Sequence, residues 1–217
     1  MSMRQVTVGE NVGKPVGKPV GKTMEGAGEK SAGGSRLGTR EIVLIGMFAA
    51  VLTVISQISL PIPTGVPITI QLFGIALVGA VLGWEMGFLA TVVYILIGAV
   101  GLPVFSNFQG GFAVLAGMTG GYILGWPVMA LLSGIRPTWK SKTLNLAVMI
   151  LLALAGMMFV EFTGAVQWSR LAGDQSLSAI MAYSFVAFIP KDAVLTVLAV
   201  IVGTQIRRPL VRAGYLE

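Results

Sequence analysis

Three ionisable side chains stand inside long apolar runs of this chain: Glu161, Lys191 and Asp192. A charge in hydrocarbon is costly and persists where it has a partner or a task, so these three set the chemical question. Lys191 and Asp192 directly follow Pro190, whose missing N–H leaves the Val186 carbonyl without its helical donor. An amine, a carboxylate and freed backbone together suit recognition of a small molecule with hydrogen-bonding edges. Adjacent helical residues point about 100° apart, so both are expected to meet partners on other helices or on a ligand rather than each other. Glu161 falls about a turn from the end of its run, where its carboxylate is expected to reach water.

Other chemistries are poorly supplied. The chain has no His and no Cys, which removes the imidazole base, the thiol nucleophile and the common soft metal ligands together. No serine-centred nucleophile motif is present, so no catalytic residue, metal site or cofactor is expected, and the chain reads as a non-enzyme. Gly17 to Thr23 carries the end of a phosphate-loop pattern, but Val16 stands where that pattern needs its first glycine, and no strand precedes it. Any ATP hydrolysis the chain depends on is therefore expected to come from separate proteins.

The segment that would position such a site is Gly101 to Tyr122. It has no ionisable charge, and Gly101, Pro103, Gly110, Gly111, Gly117, Gly120 and Gly121 interrupt regular helix. Irregular backbone at membrane depth survives where protein or a cavity satisfies its polar groups, so this stretch is expected to wall a pocket facing Lys191 and Asp192. Gln57, Gln71, Ser106, Asn107, Gln109, Thr119 and Tyr122 are the polar groups available to meet them. Phe105, Phe108, Phe112, Tyr122, Trp168 and Tyr183 can supply apolar walls.

These elements sit in a membrane chain, since 55% of residues are hydrophobic and only 11% are charged. Apolar runs occur at Ile42 to Ile58, Ile68 to Leu82, Met86 to Val100, from the glycine-rich stretch to about Ser133, Leu144 to Val166, and Leu177 to Ile206. A crossing takes roughly twenty helical residues, so the first, fifth and sixth are long enough alone, and the second and third must be deeply buried or tilted. Pro61, Pro63, Gly65 and Pro67 forbid helix between the first two. With six spans, all but two of the fifteen basic residues fall on one side, which the positive-inside bias makes cytoplasmic, along with both termini. The net charge of +6 then belongs to the membrane surface rather than to nucleic acid. Residues 1–40 form a basic Gly/Lys-rich arm expected to be disordered, 41–208 the transmembrane substrate-binding domain, and 209–217 a short cytoplasmic tail.

The chain resembles the BioY family, the biotin-specific substrate-capturing (S) components of energy-coupling-factor (ECF) transporters, over about Glu41 to Arg208. The resemblance rests on Val66-Pro67-Ile68-Thr69-Ile70-Gln71, Gly101-Leu102-Pro103-Val104-Phe105, Thr119-Gly120-Gly121-Tyr122, and Pro190 with Asp192, in that order. It implies an all-α, polytopic bundle of six transmembrane helices in a bacterial cell membrane. It also implies outward loops that close over biotin, and partners comprising one membrane scaffold subunit and two cytoplasmic ATPase subunits. Biotin has a ureido ring with two N–H donors and a carbonyl, an apolar fused ring and an acid tail. The resemblance makes Asp192 an acceptor for a ureido N–H, with Lys191, Asn107, Gln71, Phe105 and Tyr122 completing the substrate site. Gly46, Ala49 and Ala50 on the first helix become the expected contact with the scaffold subunit. One position departs from the pattern: the family commonly has Pro-Gly-Asp and then Lys three residues after the Asp, whereas here Lys191 replaces the Gly and Leu195 stands at the Lys position. Positions 191 and 195 share a helical face, so Lys191 can send its ammonium to the same region. The competing expectations are an S component for another vitamin and an ion-coupled secondary transporter, the latter without the internal repeat such proteins usually show.

Overall fold

A computed structural model describes residues 38–60, 66–173 and 175–216. The arm expected at 1–40 lies almost wholly outside them, as does the Pro-rich tip at 61–65. In chain order the helices are α1 (Thr39–Ser56), α2 (Gln71–Leu82), α3 (Trp84–Ala99), α4 (Phe112–Ala116), α5 (Gly120–Gly134), α6 (Lys142–Leu171), α7 (Leu177–Ala187) and α8 (Ile189–Arg212). A two-residue antiparallel pair, β1 (Ser59–Leu60) with β2 (Ile68–Thr69), joins α1 to α2, with Ser59 opposite Thr69.

α2 is apolar on every side and is buried along its length apart from a partly exposed Phe73. A helix with no polar face has to be sheathed by others, and α1, α3, α5 and α8 pack around it. α6 lies against α5 and α8. The outer surface stays oily, with Val43, Val54, Leu124, Leu151, Val186 and Val194 all exposed, as a lipid-facing bundle requires. α1, α6 and α8 are long and apolar enough to cross a membrane, whereas α2 and α3 are shorter and lie within the bundle.

The last apolar run is not one helix with a central kink. α7 ends at Ala187, Phe188 turns the chain, and α8 begins at Ile189 with Pro190 in its first turn. The first N–H groups of a helix have no intrahelical partner, so proline starts α8 here instead of damaging it. Lys191 and Asp192 are therefore at a helix beginning, deep in the fold, rather than in the middle of a span.

Basic side chains gather at the other end. The guanidinium of Arg207 donates to the Val81 carbonyl at 2.7 Å, that of Arg136 to the neighbouring Ala80 carbonyl, and that of Arg40 to Gly214 at 3.2 Å. Ala80 and Val81 lie in the last turn of α2, where unpaired carbonyls favour a cation. Burial, with Arg207 alongside, lowers Arg136 in the α5–α6 linker to about 10, so it stays charged at neutral pH. Arg40, Arg136 and Arg207, one from each basic segment grouped by the loop-charge pattern, thus lie toward the end opposite the cavity-lining start of α2.

Candidate functional site

A cavity lies at the end of the bundle remote from these arginines. Its wall combines Val66, Pro67 and Thr69 from the β1–β2 connection, Gln71 and Leu72 at the start of α2, Phe105 and Ser106 from the glycine-rich stretch, and Tyr122, Ile123 and Trp126 of α5. Glu161 of α6 and Phe188, Lys191 and Asp192 at the α7–α8 junction close the far side. The mixture of aromatic faces with a few convergent polar groups is characteristic of small-molecule sites.

Each wall is held by identifiable bonds. The Val104 carbonyl accepts from Ser56 Oγ at 2.6 Å, Tyr94 Oη at 2.9 Å and Gln57 Nε2 at 3.4 Å, so α1 and α3 both grip the segment that presents Phe105. Gln71 Nε2 donates to Tyr94 Oη at 3.1 Å, which fixes the amide at the mouth of α2. Phe105 then packs edge-on to Tyr94 with centroids 5.6 Å apart, and Tyr94 stacks on Trp126 at 6.0 Å. This depth of insertion requires Gly98: a Cβ there would overlap the Phe105 ring. Gly164 of α6 makes room for the Tyr122 ring in the same way. Gln167 Nε2 donates to the carbonyls of Leu115 and Gly117 at 2.9 and 2.6 Å, capping the short α4 from outside.

The charged groups differ from expectation in two respects. Lys191 Nζ lies 2.5 Å from Asp192 Oδ1, so the neighbours do pair, and it also donates to the Thr69 carbonyl at 2.6 Å. A lysine side chain is long enough to bend back over the adjacent residue in the first turn, which an argument from side-chain direction alone misses. Glu161 does not reach water. It is 2% exposed, and its Oε2 has no hydrogen-bond partner. α6 continues more than two turns past it to Leu171. The signal was present in the sequence, since Ala153, Gly156, Met157, Val160, Glu161, Gly164, Ala165 and Trp168 form one buried stripe at helical spacing. Trp126 was also missed; it is 3% exposed, lines the cavity, and leaves its Nε1 donor unpaired.

Gln71, Phe105, Tyr122, Lys191 and Asp192 thus converge on one cavity. Asn107 does not line it. Asn107 is exposed with φ 58°, a left-handed conformation that asparagine tolerates, and its Oδ1 accepts from Ser59 Oγ at 2.9 Å. On α1, Gly46 and Ala50 face outward, whereas Ala49 is 1% exposed and packs inside the bundle, which removes it from any outer contact surface. Its side chain is turned inward because it shares the buried stripe of Ile45, Phe48 and Leu52.

The BioY family model matches residues 27–212. A protein of Pyrococcus horikoshii described as "Probable biotin transporter BioY" is 34% identical over 168 residues, covering 77% of this chain and 96% of its own length. The biotin transporter BioY of Thermotoga maritima is 32% identical over 169 residues, covering 78% and 96%. Among solved structures, the crystal structure of an S component for biotin from an ECF-type ABC transporter superposes with a TM-score of 0.68 at 26% identity, over 80% of this chain and 95% of that one. The architecture is that of an S component, all-α and polytopic. With the family pattern matched across nearly the whole described bundle, this chain belongs to the BioY family.

Proposed function

We propose that this chain is the biotin-capturing subunit of an ECF-type uptake transporter, binding biotin in the cavity beneath the glycine-rich stretch. The observation that carries this reading is the meeting of Lys191, Asp192 and Gln71 with an aromatic wall of Phe105, Tyr122 and Trp126 in one cavity of a BioY-family fold. Asp192 accepts a ureido N–H, Lys191 neutralises the carboxylate and donates toward the ureido oxygen, and the rings cover the fused bicycle. The names of the relatives and of the superposing structure support the same ligand. In this reading the cavity end opens outward and the arginine end is cytoplasmic, with Gly46 and Ala50 on the exposed side of α1 available to a scaffold subunit that works with two ATPases.

The test is titration of the purified full chain with biotin, thiamine, riboflavin and folate. Saturable binding of biotin alone is expected. Tighter binding of another vitamin would assign the bundle to that ligand instead, and uptake driven by a proton gradient but indifferent to ATP would replace the ECF assignment.

A further inference from the structure

Glu161 is the one acidic side chain in the cavity wall whose role the ion pair does not explain. It comes from α6 and lines the same cavity as the α8 pair. Lys191 gives two of its three donors to Asp192 Oδ1 at 2.5 Å and the Thr69 carbonyl at 2.6 Å. Glu161 Oε2 has no hydrogen-bond partner, although the residue is 2% exposed. A buried polar atom left unpaired in a native structure calls for a missing partner, and the ligand cavity that Glu161 lines is open space beside it.

We propose that Glu161 is a second ligand-binding carboxyl group, accepting one N–H of the bound heterocycle while Asp192 accepts another. The inference rests on the biotin reading and specifies how that ligand is chosen. A cyclic urea shows the sequence donor, acceptor, donor around its edge. The cavity wall supplies two acceptors and a donor, as Asp192, Glu161 and Lys191, the two carboxyl groups on different helices and so able to address N–H groups that diverge from a common carbonyl. The site then selects ligands with two such donors, and a ring offering one donor leaves a carboxyl oxygen unpaired.

The test is a cycle of protein and ligand changes on the purified full chain. Wild type, Glu161→Ala and Glu161→Gln are titrated with biotin and with the two isomers methylated on one ureido nitrogen. Wild type is expected to bind biotin and to lose at least tenfold with either methyl group. Glu161→Ala should bind biotin at least tenfold more weakly, and for one isomer only, methylation should cost this variant less than threefold more. Glu161→Gln, which keeps an acceptor oxygen, should recover biotin binding to within fivefold of wild type. If Glu161→Ala fails to fold, Glu161→Met, of similar length and apolar, takes its place under the same criteria. Full methylation penalties for both isomers in the truncated variant, or biotin affinity within twofold of wild type, would overturn the assignment of Glu161 and leave the biotin reading standing. No biotin binding by the wild type would overturn both.

Discussion

Lys191 Nζ donates to the Thr69 carbonyl across 2.6 Å, tying the first turn of α8 to β2. The same ammonium neutralises Asp192, so one side chain joins the charge balance of the cavity to the position of its β1–β2 edge.

Replacing Lys191 by Met breaks both links at once. The Lys191 side chain is 29% exposed, so solvent screens part of the loss, but Asp192, with a side chain 5% exposed, is left buried without its counterion. A stability decrease of about 1 to 3 kcal/mol is expected in thermal unfolding, with biotin affinity reduced at least tenfold by calorimetry. Affinity within twofold of wild type would remove Lys191 from ligand recognition.

Asp192→Ala tests the other half of the pair. Without the carboxylate a ureido N–H is buried unpaired, a penalty of about 1 to 3 kcal/mol, so binding should weaken at least tenfold. Unchanged calorimetric affinity would place the ligand elsewhere.

Gln57 is predicted to control release rather than recognition. Its Nε2 donates to the Phe105 carbonyl at 3.1 Å, and its Oε1 accepts from the Phe108 N–H at 3.0 Å, while the residue stays outside the cavity wall. Gln57→Ala should raise the biotin dissociation rate several-fold in stopped-flow measurements and lower stability by about 1 kcal/mol. An unaltered dissociation rate would show that this segment does not limit exit.

Gly98→Ala pushes a methyl group into the Phe105 ring, so the aromatic wall must shift toward the cavity. Overpacking of this kind costs about 1 to 3 kcal/mol, and biotin affinity should fall at least fivefold alongside the unfolding temperature. A well-folded variant with full affinity would mean that the ring has room to move without touching the ligand.

Long helices were the readable part of this fold. α1, α6 and the body of α8 are uninterrupted apolar runs, and such runs in a membrane chain leave little choice of structure. The division at Phe188 was not readable, because Pro190 is compatible both with a kink inside a helix and with the first turn of a new one, and neighbouring packing decides. Within the site, Lys191 and Asp192 stood out as charges in hydrocarbon, while Gln71, Phe105 and Tyr122 stood among a longer set of polar and aromatic candidates that the family pattern narrowed. Glu161 was placed at water because distance from the end of an apolar run was used in place of helical face, and the small residues Gly156 and Gly164 on that face mark it as the packed side. Asn107 failed to reach the cavity for a local reason: two successive residues with positive φ turn its side chain to the outside, and no hydropathy pattern records that turn.

The Val104 carbonyl draws donors from Ser56, Gln57 and Tyr94, whereas the nearby rim is fastened by single bonds, Phe108 to Gln57 and Ser59 to Asn107. Severing any one of the inner three leaves the others in place, whereas each of these two rim contacts rests on one bond. Phe108 is already 71% exposed, so lifting it uncovers little new apolar area. The segment is therefore held more firmly at Val104 than at the edge occupied by Asn107 and Phe108.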